Sequence, residues 1–235
     1  MMGAVLLIAT LLDGNASVAQ RSDACYALRG DRSVETIAAL GRALGDKVVR
    51  TCAARDLREA GAVDELISAL GARDADVQMV AARELGELRD VRALAALGRT
   101  ALDVNVMVAA TAIAALGEYE DAAAMPYLLR AAAQPNVAGI NALEQAARRG
   151  ADGVLPIARK VLGQGDIAAQ LVAITILGDM GDSSDLGKLR ELAANSDPVY
   201  SRGRGFGFMP PIDLGRAAKN AMGKIEGRLS ASWSR

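Results

Sequence analysis

The sequence contains no histidine, and this absence excludes more chemistry than any other feature of the composition. Without imidazole there is no Ser-His-Asp or Cys-His nucleophile system and no histidine-ligated metal site. The two cysteines alone are too few for a structural zinc site with four protein ligands. Catalysis would have to rest on carboxylates, lysine, tyrosine or cysteine, and we expect neither a cofactor nor a metal.

Aromatic residues are also scarce, at 3% of the 235 residues, although hydrophobic residues make up 51%. This combination predicts helices that pack through alanine and leucine, since sheets favour β-branched and aromatic residues. The net charge is −1 and the sequence pI is about 5.6. No general positive field is present, so we expect no nucleic-acid partner.

The N-terminus carries an apolar run from Gly3 to Leu12, which is too short to span a bilayer. Ser17 and Ala19 fit the small-residue positions of a signal-peptidase site that cuts before Gln20. These features predict a signal peptide over residues 1–19, a periplasmic or secreted protein, and no integral membrane segment in the mature chain. No lysine or arginine precedes the run, so the alternative is a packed N-terminal helix in a cytoplasmic protein.

One pattern recurs along the chain about every 30 residues: a short polar residue, an apolar anchor, small residues, then leucine and often glycine. The anchors are Val49, Val77, Val106, Val137, Ile167 and Val199. The polar residues before them predict helix N-caps and are Asp46, Asp74, Asp76, Asp103, Asn136, Asp166 and Asp197. The glycines that predict helix ends are Gly61, Gly117, Gly150 and Gly181, with Asp90 expected to form the turn after Arg89.

Between these helices lie second helices, whose apolar residues recur at spacings of three and four. Examples are Val34, Ile37 and Leu44 in one segment, and Val91, Leu94 and Leu97 in another. Neither helix of a pair can bury its apolar stripe alone. We therefore expect stacked helix pairs that share a continuous core.

The segments at 49–57 and 77–86, together with Pro126 and Pro156 near the starts of second helices, resemble the HEAT-repeat superfamily in its short, PBS-lyase HEAT-like form. The resemblance implies an all-α, right-handed α-solenoid of about six helix-pair repeats over residues 20–227. An irregular loop at 198–212 interrupts the last repeat. Helix is expected from Asp213 to Ile225, followed by a disordered tail at 228–235.

The irregular loop contains alternating glycines and a proline pair, which exclude a regular helix. Arg202 and Arg204 could bind anionic groups of a partner, and Phe206 and Phe208 could supply apolar contacts. The favoured interpretation is a cap that covers the apolar end of the repeat array, because both phenylalanines of the chain lie in this loop.

Basic residues recur on the second helices, which line the concave face in HEAT proteins. They are Arg99, Arg130, Lys160 and Arg190, at separations of 31, 30 and 30 residues. This series could hold an acidic segment of a partner, but ordinary solvated charge is the favoured interpretation. Cys25 and Cys52 are about one repeat apart and could form a disulfide between neighbouring helices, or remain two buried thiols.

These observations favour a non-enzymatic, monomeric scaffold that binds another protein or peptide. The alternative is an enzyme on a HEAT-like fold, similar to a DNA glycosylase or a bilin lyase. The acidic pI, the absence of histidine and the scarcity of aromatic residues count against an enzyme.

Overall fold

The computed structural model describes residues 2–120, 122–164, 166–195 and 213–233, and every regular element in these ranges is helical. The α-helices are α1 (Met2–Leu12), α2 (Val18–Ala27), α3 (Val34–Ala43), α4 (Arg50–Ala60), α5 (Val63–Ala69), α6 (Ala75–Leu88), α7 (Leu94–Thr100), α8 (Val106–Gly117), α9 (Met125–Ala132), α10 (Val137–Arg148), α11 (Val154–Gln164), α12 (Ile167–Met180), α13 (Leu186–Asn195) and α14 (Leu214–Trp233). Short 3₁₀ turns precede α7, α9 and α13.

The helices form two compact units, of which the first ends at Ala131 and the second begins at Ala132. In the first unit α2, α4, α6 and α8 pack in succession, while α3 packs on α4 and α5. In the second unit α10, α12 and α14 pack in succession, with α11 and α13 beside them. Alternate helices stack on one another within each unit, which is the arrangement of an α-solenoid, as the sequence predicts.

Short polar side chains begin most of the first helices. Asp74, Asn136 and Asp166 accept hydrogen bonds from backbone N–H groups in the first turns of α6, α10 and α12. The prediction was wrong at α4, where Val49 is the N-cap and makes no side-chain cap bond, and at α8, where the cap is Asn105. Asp103 instead accepts a hydrogen bond from the Asn105 N–H, so it shapes the turn before the helix.

The helix ends differ in their backbone conformations. Gly61 and Gly150 have φ of 70° and 64°, the left-handed conformation that glycine adopts without a Cβ clash. Gly181 is extended, at φ −70° and ψ 170°. After α6, Arg89 itself takes the left-handed conformation with φ 54°, although the sequence predicts the turn at Asp90.

The core consists mainly of leucine and alanine, including Leu40, Leu57, Leu85 and Leu116. Small residues let neighbouring helices approach closely. A Cβ added to Gly86 of α6 would lie 2.9 Å from the Cα of Ala115 in α8. Two residues of the predicted apolar stripes lie outside the core. Val34, the first residue of α3, is 79% exposed, and Val91, the first residue of the 3₁₀ turn before α7, is 58% exposed.

Two buried arginines link successive repeats in the first unit. Arg50 of α4 donates hydrogen bonds to the carbonyl of Leu44 and to the carboxylates of Asp74 and Asp76. Arg21 of α2, 29 residues earlier, donates in the same way to the carbonyl of Leu11 and the carboxylate of Asp46. Each guanidinium thus binds the preceding segment and the turn before the next helix pair.

The last helix continues beyond the end that the sequence predicts. It runs to Trp233, so residues 228–233 of the expected disordered tail are helical. Arg228 donates hydrogen bonds to the carbonyl oxygens of Gly178 and Gly181. These contacts hold the C-terminal turns of α14 against the end of α12. The loop at 198–212 lies outside the described residues.

The apolar N-terminal segment forms α1, which packs against α2 and α3. Leu11 is fully buried there, whereas Val5 and Leu6 are largely exposed. Among the described residues, no helix combines the length and apolarity needed to cross a membrane.

Candidate functional site

The four basic residues that recur on second helices are all exposed. Arg99 and Arg130 lie on α7 and α9 in the first unit, and Lys160 and Arg190 lie on α11 and α13 in the second. None of the four forms an ion pair with another described residue. Their charges are therefore open to an incoming group.

Lys160 lies beside an apolar groove in the second unit. The groove has a volume of about 300 Å³ and is formed by the segment 132–136 with parts of α10, α11 and α12. Ile140, Leu143, Ile157 and Val161 line it with apolar surface. The long apolar stem of a lysine can extend such a surface while the ammonium group stays in water.

Two acceptors in this groove cap the helices behind it. Asn136 Oδ1 accepts from the Gly139 N–H at 2.8 Å, and Asp166 Oδ1 accepts from the Ala169 N–H at 2.8 Å. Lys160 is the one cationic residue among the groove's lining residues. The groove therefore offers apolar contact next to one positive charge.

Arg99 lies beside a second groove of about 300 Å³, in the first unit, between the C-terminal ends of α5 and α7. Its lining is more polar and includes Gln78, Thr100 and Asp103. The Gln78 side-chain amide donates to the carbonyl of Leu70 at 3.0 Å. Arg99 and Lys160 thus occupy corresponding places. Each lies beside a groove between two second helices, on the helix that comes later in the chain.

One further residue of this series was missed by the sequence analysis. Arg42 is exposed in the last turn of α3 and lies seven residues before the anchor Val49. Arg99, Arg130 and Lys160 lie at the same offset before their own anchors, so this offset was the signal that could have identified Arg42. Arg190 does not share it, because it lies nine residues before Val199.

Cys25 and Cys52 form a disulfide that joins α2 to α4, as the sequence allowed. Cys25 is fully buried and Cys52 is partly exposed. Asp56 lies one turn beyond Cys52 on the same face of α4 and is only 3% exposed. No sequence pattern had singled out this carboxylate, although its spacing of four residues from Cys52 places both on one helix face.

The two oxygens of Asp56 face different surroundings. Oδ1 faces cations, with Nε of Arg55 at 3.4 Å and Nε of Arg29 at 3.8 Å. Oδ2 faces sulfur, at 3.6 Å from Sγ of Cys52 and 3.8 Å from Sγ of Cys25. Disulfide sulfurs carry no proton and cannot donate to Oδ2. Burial raises the pKa of Asp56, and the arginine charges oppose that rise only in part.

The turn after α8 carries two exposed glutamates. Glu118 and Glu120, from the acidic turn after α8, form ion pairs with Arg89 at 3.2 and 4.0 Å. These exposed pairs fit the role of a solvated turn. Arg202, Arg204, Phe206 and Phe208 lie outside the described residues.

Two solved structures are similar to the chain over most of its length, at low identity. One is human deoxyhypusine hydroxylase in complex with glycerol, at 14% identity and a TM-score of 0.42, with 96% of each chain covered. Another is the complex of CpcE and CpcF of phycocyanin lyase from Nostoc sp. PCC7120, at 22% identity and a TM-score of 0.43, with 94% of each chain covered. Similarity at this level does not extend to activity. No curated protein matches the chain.

The family comparison agrees with the helix stacking. Residues 63–148, from α5 to α10, match the family of HEAT repeats. This range includes the Val77–Gly86 segment, which carried much of the resemblance. The family match covers 86 of the 235 residues, and the helix pairs outside it stack in the same alternating arrangement.

Proposed function

We propose that the protein is a non-enzymatic scaffold whose second-helix grooves bind a peptide segment of another protein. The segment would combine acidic and apolar residues. The observation that carries this proposal is the groove beside Lys160, where apolar side chains adjoin a cation with no described ion-pair partner. An apolar side chain would fill the groove, and a neighbouring carboxylate would pair with the ammonium group.

The basic series supports the same interpretation. Arg42, Arg99, Arg130 and Lys160 share one position relative to their anchors. A segment that runs along the second helices of the first unit would therefore meet recurring positive charge, and one in the second unit would meet Lys160. Arg42, Arg99 and Arg130 lie in last helical turns, where cations also favour the helix dipole. Lys160 lies further from the end of α11, so the helix dipole gives the weakest reason for a cation at this position.

The test is a selection of displayed random peptides on the full chain, followed by affinity measurements on a synthetic hit by fluorescence anisotropy. We expect hits that place Asp or Glu next to apolar residues. Lys160→Glu should weaken binding at least about tenfold, because the charge contact is reversed. Affinity should also fall as salt is added.

Lys219→Glu is the matched control, since Lys219 is exposed on α14 and the variant has the same net charge. It should bind the peptide as the wild type does. Arg99→Glu reports separately on the groove of the first unit. A selection that yields no ligand, or equal weakening by Lys160→Glu and Lys219→Glu, would contradict the proposal.

We also propose that the chain is exported, because of the apolar run and the Ser17–Ala19 site. The bond to be cut joins Ala19 and Gln20 in the first turn of α2, where Ser17 and Gln20 form a reciprocal cap. A mature chain would therefore lack α1 and this cap. N-terminal sequencing of protein from native cells should begin at or near Gln20; a chain that retains Met1 would refute export.

A further inference from the structure

We propose that Cys25, Cys52 and Asp56 form a binding site for a borderline-soft divalent cation of the Zn²⁺ class when the disulfide is reduced. The sequence alone predicted no metal, because two cysteines without histidine are too few ligands. The structure adds a third ligand, since the two sulfurs and a carboxylate oxygen of Asp56 all lie within 4.8 Å of one another. Thiolate and carboxylate ligands are a set that Zn²⁺ accepts.

The observed distances already suit tetrahedral coordination. Bond lengths of about 2.3 Å to sulfur and about 2.0 Å to oxygen place a sulfur and an oxygen ligand about 3.5 Å apart. Oδ2 of Asp56 lies 3.6 Å from Sγ of Cys52 and 3.8 Å from Sγ of Cys25. On reduction only the two sulfurs must separate, to about 3.8 Å. A water molecule would complete the tetrahedron as the fourth ligand.

The surroundings of the site favour this role. In the disulfide form Oδ2 of Asp56 is a buried acceptor with no described N–H or O–H donor, which is costly. Its other oxygen is oriented by Arg29 and Arg55. Arg55 donates a hydrogen bond to that oxygen and Arg29 lies 3.8 Å from it, so the carboxylate is held in place for a bound metal.

Charge also balances around a bound dication. Glu59 contacts Arg29 at 3.2 Å and Arg55 at 3.9 Å, so each arginine has a carboxylate partner. Nη2 of Arg55 lies 3.8 Å from Sγ of Cys52, where a guanidinium stabilises the thiolate. A divalent cation that replaces two thiol protons leaves the formal charge of the cluster unchanged.

The chemistry needs a reductant, because the disulfide must accept two electrons and two protons. A trialkylphosphine in water supplies them, giving two thiols and the phosphine oxide. Binding of the cation then releases the two thiol protons to solvent. The disulfide form has no thiolate ligand to offer and should bind no metal.

The experiment titrates the full chain with Co²⁺ without oxygen, after phosphine reduction and removal of the phosphine. We expect a thiolate-to-cobalt charge-transfer band that saturates at one ion per chain and disappears when Zn²⁺ displaces the cobalt. Protein that has not been reduced should show no band. Far-UV circular dichroism reports in parallel whether the reduced chain is folded.

Asp56→Asn is the decisive variant, because it keeps both cysteines and the side-chain shape. We expect its dissociation constant for Zn²⁺ to rise more than about tenfold. Glu35→Gln is the matched control, since it removes one exposed carboxylate of α3 that lies outside the cluster, and it should bind like the wild type. A reduced, folded wild type without the band, or equal Zn²⁺ affinity in Asp56→Asn, would overturn the proposal.

If reduction unfolds the chain, the readout becomes the recovery of helical signal as Zn²⁺ is added. Recovery in the wild type at lower Zn²⁺ than in Asp56→Asn supports the site. Failure to recover, or recovery of both proteins at the same Zn²⁺ concentration, refutes it.

Discussion

Nη2 of Arg50 donates a hydrogen bond to Oδ2 of Asp74 at 2.8 Å, and this contact joins α4 to the N-cap of α6. The same guanidinium donates to the carbonyl of Leu44 and to Asp76, both within 2.9 Å. One buried side chain thus satisfies acceptors from two loops, which fixes how the second helix pair meets the third.

Removing that guanidinium should destabilise the first unit. We expect Arg50→Ala to lower the free energy of unfolding by about 2–3 kcal/mol, because the Leu44 carbonyl loses a buried donor. The loss is limited because Asp74 and Asp76 are partly exposed and regain water. Urea unfolding followed by circular dichroism measures the change. Arg42→Ala, an exposed control on α3, should stay within about 0.5 kcal/mol of the wild type. Equal stability of the two variants would contradict the role given to Arg50.

The assignment of buried and exposed helix faces leads to a second prediction. Leu85 is fully buried in α6, so Leu85→Asp places an unpaired carboxylate in the core at a cost of several kcal/mol. Arg99→Ala changes an exposed side chain of α7 and should cost less than about 0.5 kcal/mol. Thermal melting of both variants checks the prediction. Similar melting temperatures would show that the assigned helix faces are wrong.

The close packing of α6 against α8 leads to a third prediction. Gly86→Ala should destabilise by about 1–2 kcal/mol, because the new Cβ would lie 2.9 Å from the Cα of Ala115 and must push α6 from α8. Gly223→Ala is the matched control, since Gly223 lies inside α14 with no atom within 4 Å of a new Cβ. There alanine should stabilise the chain by about 0.5–1 kcal/mol through helix propensity. A stabilising Gly86→Ala would mean that the two helices are not in close contact.

The helix pairs were predictable because their signals are local. Cap residues such as Asp74 and Asn136 mark helix starts without reference to distant residues, although α4 begins after Val49 with no side-chain cap. The choice of Asn105 over Asp103 at α8 was not predictable in the same way. Both are short polar acceptors two residues apart, and only the backbone geometry decides between them.

Features that depend on distant contacts escaped the sequence analysis. Gly227 predicts a helix end, because glycine often follows the last residue of a helix. The helix α14 nevertheless continues, since Arg228 binds carbonyls near the end of α12. No valine anchor directly precedes Arg21, so the sequence does not show that Arg21 corresponds to Arg50. The structure shows it, because each arginine binds the turn before the next helix pair. The surroundings of Asp56 likewise require α2 and α4 to be packed together.

The last prediction concerns pH and rests on Tyr119, which is 2% exposed and bonded through its hydroxyl to the carbonyls of Leu85 and Asp90, each at 3.1 Å. Burial, with a smaller contribution from the Asp90 charge, raises the pKa of Tyr119 to about 12. In the unfolded chain a tyrosine has a pKa of about 10. Above that pH the unfolded state loses the proton first, so folding stability falls as pH rises towards 12.

Tyr119→Phe isolates this effect, because it removes the ionisable group and keeps the ring. Near pH 8 the variant should be less stable than the wild type by about 1 kcal/mol, through loss of the hydroxyl's hydrogen bonds. Between about pH 8 and pH 11 the wild type should lose about 1.4 kcal/mol more than the variant, since only the wild type carries the shifted group. The stability gap should therefore close or reverse. Urea unfolding at each pH gives both curves, and parallel curves would mean that the Tyr119 hydroxyl ionises as readily in the folded chain as in the unfolded one.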